Sequence, residues 1–180
     1  MNTVFRLLLT FNATSLLVII FLVQKSFSLG HFFSKCPYLV NLPNAVSYIA
    51  YLLVPIALTG LSIFLSACLG KDSFGKGEII SIEHANNSFL PSYLGYFFVA
   101  LSVGNLETLA VVYGVLFVFT FLSQALYFNP LFLLFGFSFY NITTKNGAVV
   151  FLISRCSYKT PLDVIILEAY RINNYTFIEK

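Results

Sequence analysis

Charged residues are sparse along this chain, and the gaps between them set its elements. Arg6 and Lys25 bracket eighteen uncharged residues, with an apolar core at 7–23. A bilayer core takes about twenty apolar residues as a helix, so this first segment is just long enough. It resembles a signal peptide only in part. Its apolar stretch exceeds the roughly 7–15 residues of a signal core, and no Ala-x-Ala-like site follows, so it reads as an uncleaved anchor. Lys35 and Lys71 bracket a second segment at 46–69, entered through Pro37, Pro43 and Asn44 and closed by Gly70. Pro55 lies inside it, which lipid-embedded helices tolerate. Glu83 and Glu107 bracket a third segment at 89–104, with Pro91 near its start and Asn105 near its end. Its sixteen residues are short for a perpendicular span. A thin-membrane span, a re-entrant segment and an interfacial helix all remain open for it. The fourth segment, 108–127, is apolar until Ser123 and Gln124, and Asn129-Pro130 breaks it.

The period then changes. Leu131 to Tyr140 is still apolar, but Phe137, Phe139 and Asn141 alternate with Ser138, Tyr140 and Ile142. Asn146-Gly147 is a hairpin signal, because both residues accept positive φ. Ala148 to Ser154 and Val164 to Ile172 read as strands, separated by Thr160-Pro161. Glu78 to Glu83 alternates Ile with polar residues in the same way. The expected architecture is an α-helical integral membrane protein. Residues 1–130 form a transmembrane region of four helices. Residues 131–180 form a small cytoplasmic β-rich region that pairs with 77–84 of the second loop.

Composition agrees with lipid as the solvent. Charged residues are 9% of the 180 and hydrophobic residues 58%, whereas a soluble domain carries roughly a quarter charged residues. Four spans put Arg6, Lys71, Lys76, Lys145, Arg155, Lys159, Arg171 and Lys180 on one side, and Lys25 and Lys35 on the other. Positive charge marks the cytoplasmic side, so both termini are expected there. If the third segment does not span, the tail side still holds seven of the ten cations, and only the N-terminus changes side. No basic run of the phosphate-binding kind occurs, so direct nucleic-acid binding is not expected. Cys36, Cys68 and Cys156 sit in separate segments and form no CxxC pair.

Candidate chemistry is thin. His31 and His84 lie in different loops, and no metal, phosphate-loop or nucleophile motif is present. The expectation is therefore no enzyme, no cofactor and no metal. The span cores hold no ionisable group, although transporters place such groups at membrane depth. Glu107 is the nearest, and reads either as an interfacial carboxylate at a helix end or as a proton or substrate site. Small residues four apart occur at Ser62, Ser66 and Gly70, at Ala100 and Gly104, and at Ala110 and Gly114. Such rows let helix backbones approach, either within one chain or between copies in a homo-oligomer. Tyr93 and Tyr96 share a helix face, as interfacial anchors or as a ligand face.

Two stretches carry a family likeness. Glu78-Ile-Ile-Ser-Ile-Glu-His-Ala-Asn-Asn-Ser-Phe-Leu-Pro-Ser-Tyr-Leu-Gly-Tyr-Phe is one. Tyr127-Phe-Asn-Pro-Leu-Phe-Leu-Leu-Phe-Gly-Phe-Ser-Phe-Tyr140 with its Asn-Gly hairpin is the other. They resemble KwaA, the membrane subunit family of the Kiwa bacterial anti-phage defence system, over residues 70–180. The resemblance implies a four-span inner-membrane protein that assembles into a multimer. It implies sensing of infection at the envelope and work with a cytoplasmic DNA-binding partner, KwaB. It brings no catalytic residues.

The residues alone fit a membrane sensor or scaffold that docks a soluble partner. Lys145, Arg155, Lys159 and Arg171 are the candidate contacts, although the positive-inside rule accounts for them as well. The rival reading is a small channel or pore-forming effector, with Ser47, Thr59, Ser62 and Ser66 as its polar helix face.

Overall fold

A computed structural model describes residues 3–35, 37–87, 90–123 and 129–180. Cys36, the Phe89 start of the third segment and the 124–127 end of the fourth lie outside the described residues. The helices are α1 (Thr3–Gln24), α2 (Leu29–Phe32), α3 (Pro37–Val40), α4 (Asn44–Leu65), α5 (Leu90–Ser102), α6 (Leu106–Ser123) and α7 (Leu131–Leu134). Among the described residues, three stretches are long and apolar enough to cross a membrane: Thr3–Gln24, Asn44–Cys68 and Leu106–Ser123. The third predicted segment is a shorter helix, α5, of 13 residues. At 1.5 Å per residue it reaches about 20 Å, against about 30 Å of hydrocarbon. Pro91 falls in its first turn. Beyond its end, Asn105 Oδ1 accepts from the Thr108 N–H at 2.8 Å and starts α6.

α1 is the axis of the bundle. Phe5, Leu9, Ala13, Leu17 and Phe21 recur every four residues and are all buried, because α4, α5 and α6 each pack on this helix. Cross-helix bonds fix the directions. Asn12 meets Thr59 and the Leu29 N–H meets Ser47, so α4 runs antiparallel to α1. Arg6 reaches the Phe121 carbonyl and Thr14 meets Tyr113, so α6 is antiparallel too. The Tyr93 hydroxyl donates to the Ala13 carbonyl and Gln24 donates to the Leu101 carbonyl. α5 therefore runs parallel to α1 and starts level with its middle.

The strands are β1 (Lys71–Phe74), β2 (Ile79–His84), β3 (Ser138–Thr144), β4 (Val149–Ser154), β5 (Ile166–Asn173) and β6 (Thr176–Glu179). They form one sheet in the order β1-β5-β6-β4-β3-β2. Only β4 and β6 pair in parallel. The loop after α4 thus supplies both edge strands. Four residues, 75–78, join those edges. Such a link spans at most about 18 Å, whereas five flat strand spacings need about 24 Å. The sheet must therefore curl until its edges approach. Accordingly, Ser73 and Phe74 of β1 share a groove with Thr144, Lys145 and Asn146 at the end of β3.

Curling gives the sheet two different faces. The inner face packs Ile79, Tyr140, Ile142, Val150, Leu152, Ile166, Ala169 and Phe177 together, covered by Val164 of the β4–β5 connection. The outer face carries Phe137, Phe139, Phe151, Ile153, Ile172 and Ile178, and packs on Phe5 and Leu9 of α1, Ile63 of α4 and Phe132 of α7. Helices and sheet share this second core. Because β2 and β3 pair, the second loop and the tail lie at one end of the bundle, and Phe5 brings the start of α1 to the same end.

The predicted hairpin forms, with a different turn. Thr144 and Ala148 close a three-residue loop, Lys145-Asn146-Gly147, in which Gly147 has φ 77° and Asn146 is not in the positive-φ region. A three-residue hairpin needs a left-handed residue only at its last loop position. Gly147→Val forces a β-branched residue there, and should cost about 1–2 kcal/mol. Thermal melting of the detergent-solubilised protein checks this; a variant that melts with the parent would refute the turn's importance.

Candidate functional site at the sheet–helix junction

Where the bundle meets the sheet, polar side chains from three segments converge. Asn12 is fully buried on α1. Its amide oxygen accepts from Thr59 Oγ1 at 2.7 Å and from Asn129 Nδ2 at 2.9 Å, while its nitrogen donates to the Pro55 carbonyl at 3.1 Å. Asn129 lies just past the residues that follow α6, and its Oδ1 accepts from the Leu131 N–H at 3.0 Å. One knot therefore ties α1, α4 and the entry to α7. Sequence reasoning treated Asn129-Pro130 only as a helix breaker and passed over Asn12. A lone Asn in the middle of an apolar span was the available signal, since interhelical amides seek partners in lipid.

The small and polar rows turn out to be divided. Ser47, Pro55, Thr59, Ser62 and Ser66 are buried along α4 and its end. The Ser62 and Ser66 hydroxyls donate to the Thr59 and Ile63 carbonyls, and the Ser47 hydroxyl accepts from the Leu29 N–H. This row is buried and its hydroxyls are satisfied within the chain. Gly70 is not on the helix: Ser66–Cys68 tighten into a 3-10 turn and the chain passes into β1. Ala100 is buried against Leu17, Phe21, Val103 and Leu109. Gly104, Ala110 and Gly114 are exposed, and a Cβ added at either glycine would meet nothing within 4 Å. Glu107 sits exposed in the first turn of α6, where a carboxylate complements the helix dipole. Tyr93 and Tyr96 stack edge to face, with centroids 5.6 Å apart.

The cations cluster at the sheet end. Arg6, Lys71, Lys76, Lys145, Arg155, Lys159, Arg171 and Lys180 lie there, while Lys25 and Lys35 follow α1 and α2 at the other end. The four predicted contact residues do not form one patch. Arg155 shares the outer-face side of its strand with Phe151 and Ile153, and its guanidinium stands 4.6 Å from the Phe137 ring centroid. Arg171 lies beside Cys68, Leu69 and Gly70 at the end of α4. Lys145 is in the hairpin loop, bonded through its backbone to Glu78, away from the helices. Lys159 precedes the 3-10 turn Pro161–Asp163, which Thr160 and Asp163 cap reciprocally. Lys71 pairs with Glu168 at 2.8 Å in the open. That hydrogen bond raises the lysine's pKa and lowers the carboxyl's.

A second polar knot holds the β4–β5 connection against the inner face. Glu179 is buried and accepts from Ser154 Oγ at 2.6 Å and from the Tyr158 hydroxyl at 2.8 Å. Burial, then the bond to Glu179, raises the Tyr158 pKa, so the phenol stays a donor. The Tyr140 hydroxyl donates to the Cys156 carbonyl at 3.2 Å and completes the clasp. Among the described residues, no three His, Cys, Asp or Glu gather as metal ligands would.

Asn12→Ala removes the centre of the first knot and leaves Thr59 and Asn129 without it. It should cost about 1–2 kcal/mol, the range of interhelical hydrogen bonds in membranes. Unfolding in mixed micelles measures the loss, and an unchanged transition would contradict the knot's structural role.

A six-stranded curled sheet fused through a common core to apolar helices is thus the frame for any identity. No curated protein and no solved structure matches the chain. Residues 5–178 match the family model described as the anti-phage protein KwaA, and the chain belongs to that family.

Proposed function

We propose that the chain is a non-catalytic sensor and scaffold of anti-phage defence in the bacterial inner membrane. α1, α4, α5 and α6 form the membrane unit, with α5 completing it as a fourth, short span. Both termini and the sheet face the cytoplasm. There the sheet recruits a soluble DNA-binding partner of the KwaB kind. The carrying observation is the core shared by Phe5, Leu9 and Ile63 of the long helices with Phe137, Phe139 and Phe151 of the sheet. A displacement of α1 or α4 in the bilayer moves the sheet directly, because packed cores shift as units. Eight cations at the sheet end against two at the other support the orientation. No observation favours the pore reading, since its polar row is packed inside the chain.

Partner docking fits an exposed apolar stretch of the β4–β5 connection and the start of β5. Leu162, Ile165 and Leu167 are exposed there, Leu167 at 82%, with Lys159 close by in sequence. Large exposed apolar residues mark protein contact surfaces. Truncation after Thr144 would strip β4, β5 and β6 from the sheet, so surface substitutions are the cleaner probe. Leu162→Glu with Leu167→Glu should abolish co-purification of the soluble partner from native membranes and remove phage protection, with melting unchanged. Retained partner at wild-type levels would refute docking at this surface. Reporter fusions after Lys25 and at Lys180 test the orientation separately.

Assembly into a homo-oligomer fits the exposed row Ala110 and Gly114 on α6, a helix whose side away from α1 is uncovered. Gly114→Leu fills the space a second helix backbone would use. Native mass spectrometry in mild detergent should show the oligomer in the parent and a shift towards monomer in the variant. An unchanged distribution would remove this face from the interface.

A further inference from the structure

We infer that the groove between the end of α4 and the outer sheet face binds an anionic phospholipid of the cytoplasmic leaflet. The inference rests on the membrane orientation proposed above. The groove is lined by Gly60, Ile63, Phe64, Phe135, Arg155 and Lys180. Two kinds of surface meet in it. Phe64 is 75% exposed and continues an apolar strip of α4 that includes Leu53, Val54 and Leu61. At its other side stand two cations.

The pleat puts those cations together. β4 and β6 run parallel with Ile153 opposite Ile178. Two residues further along the chain from each, on the same face, come Arg155 and Lys180. Neither has a carboxylate within ion-pair distance among the described residues, where Lys71–Glu168 is the ion pair formed. Each instead lies over an aromatic ring. Arg155 is 4.6 Å from the Phe137 centroid and Lys180 Nζ is 5.3 Å from the Tyr170 centroid. Rings orient a cation without neutralising it, so the donors stay free for an oxyanion.

The chemistry that completes this groove has an acyl chain and a phosphate bearing net negative charge. Phe64, Gly60 and Phe135 take the chain, and Arg155 and Lys180 share the phosphate. A zwitterionic lipid carries a compensating ammonium and gains less. A soluble phosphate ester lacks the chain that fills the apolar half. The lipid would bridge α4 and the sheet at the edge of their shared core.

The test uses the full chain in lipid nanodiscs and in detergent with added lipid. Native mass spectrometry should show phosphatidylglycerol retained in preference to phosphatidylcholine. Arg155→Gln and Lys180→Gln should each weaken that retention about fivefold, the effect of one basic residue near an anionic surface. Lys145→Gln, the same charge change at the far end of the sheet, should leave it unaltered. Lys180 is exposed at the end of β6, so Lys180→Gln serves if Arg155→Gln disturbs folding. Equal retention of the two lipids by the parent, or equal losses from Lys145→Gln and Lys180→Gln, would overturn the site. Stabilisation by soluble glycerol phosphate matching that by phosphatidylglycerol would overturn the lipid as its occupant. Failure of the orientation itself would appear elsewhere, as a periplasmic signal from the Lys180 fusion.

Discussion

The short link between β1 and β2 constrains most of this structure. Residues 71–84 must fill both edges of a six-stranded sheet with only four residues between them. The sheet can satisfy that only by curling. Curling creates an enclosed inner core and leaves an outer face rich in phenylalanine, which must then find cover. The ends of α1 and α4 supply it. Phe139 stacks on Phe151 at 5.6 Å, and Phe132 meets both Phe137 and Phe139 edge to face. The edges, which would otherwise invite pairing with another chain, are brought near each other and kept short.

The bundle shows how apolar helices with few charges meet their polar needs. Each polar group at depth is used at once. Thr10 and Thr14 bond back to carbonyls one turn earlier. Arg6 serves the end of α6, donating to the Phe121 carbonyl at 3.0 Å, where the helix dipole is negative. Asn12 reaches both ends of the rung between Pro55 and Thr59, one turn after the Tyr51 carbonyl that Pro55, having no N–H, leaves without its helical donor. Such groups hold helices in register, and the hydroxyls of the polar row on α4 are bonded inside the chain.

The long helices were legible because charges are rare and lipid sets a length. α1, α4 and α6 follow from the gaps after Arg6, Lys35 and Glu107. β3 and β4 were legible from alternation and from Asn146-Gly147. Other parts were not. Lys71–Phe74 carries two charges in four residues, so its strand character comes from its partner β5 and not from its own pattern. Thr176–Glu179 is four residues long and buried at every position, which leaves no alternation to read. The curl depends on which strands the loop joins, a long-range fact. Lys180 was counted only as a positive-inside charge, because its neighbour Arg155 is distant in sequence and meets it only through the parallel β4–β6 pair.

Pleat parity also changes what the cationic end of the molecule can do. A positive-inside count treats eight residues as one field. The structure divides them by direction. Arg155 and Lys180 face the helix ends, over aromatic rings and beside an exposed strip of α4. Lys145 sits in the hairpin loop at the opposite end of β4 from Arg155, and Lys159 in the β4–β5 connection. A charge beside the bilayer acts on lipid within a Debye length of about 10 Å. On the proposed orientation, a charge on the hairpin loop acts on whatever approaches from the cytoplasm. On the proposed orientation, this division assigns Arg155 and Lys180 to the proposed lipid contact and leaves the other cations for the proposed soluble partner. Either surface is joined to α1 and α4 through the same phenylalanine core, so a shift of the sheet moves the residues that pack on Phe5, Leu9 and Ile63.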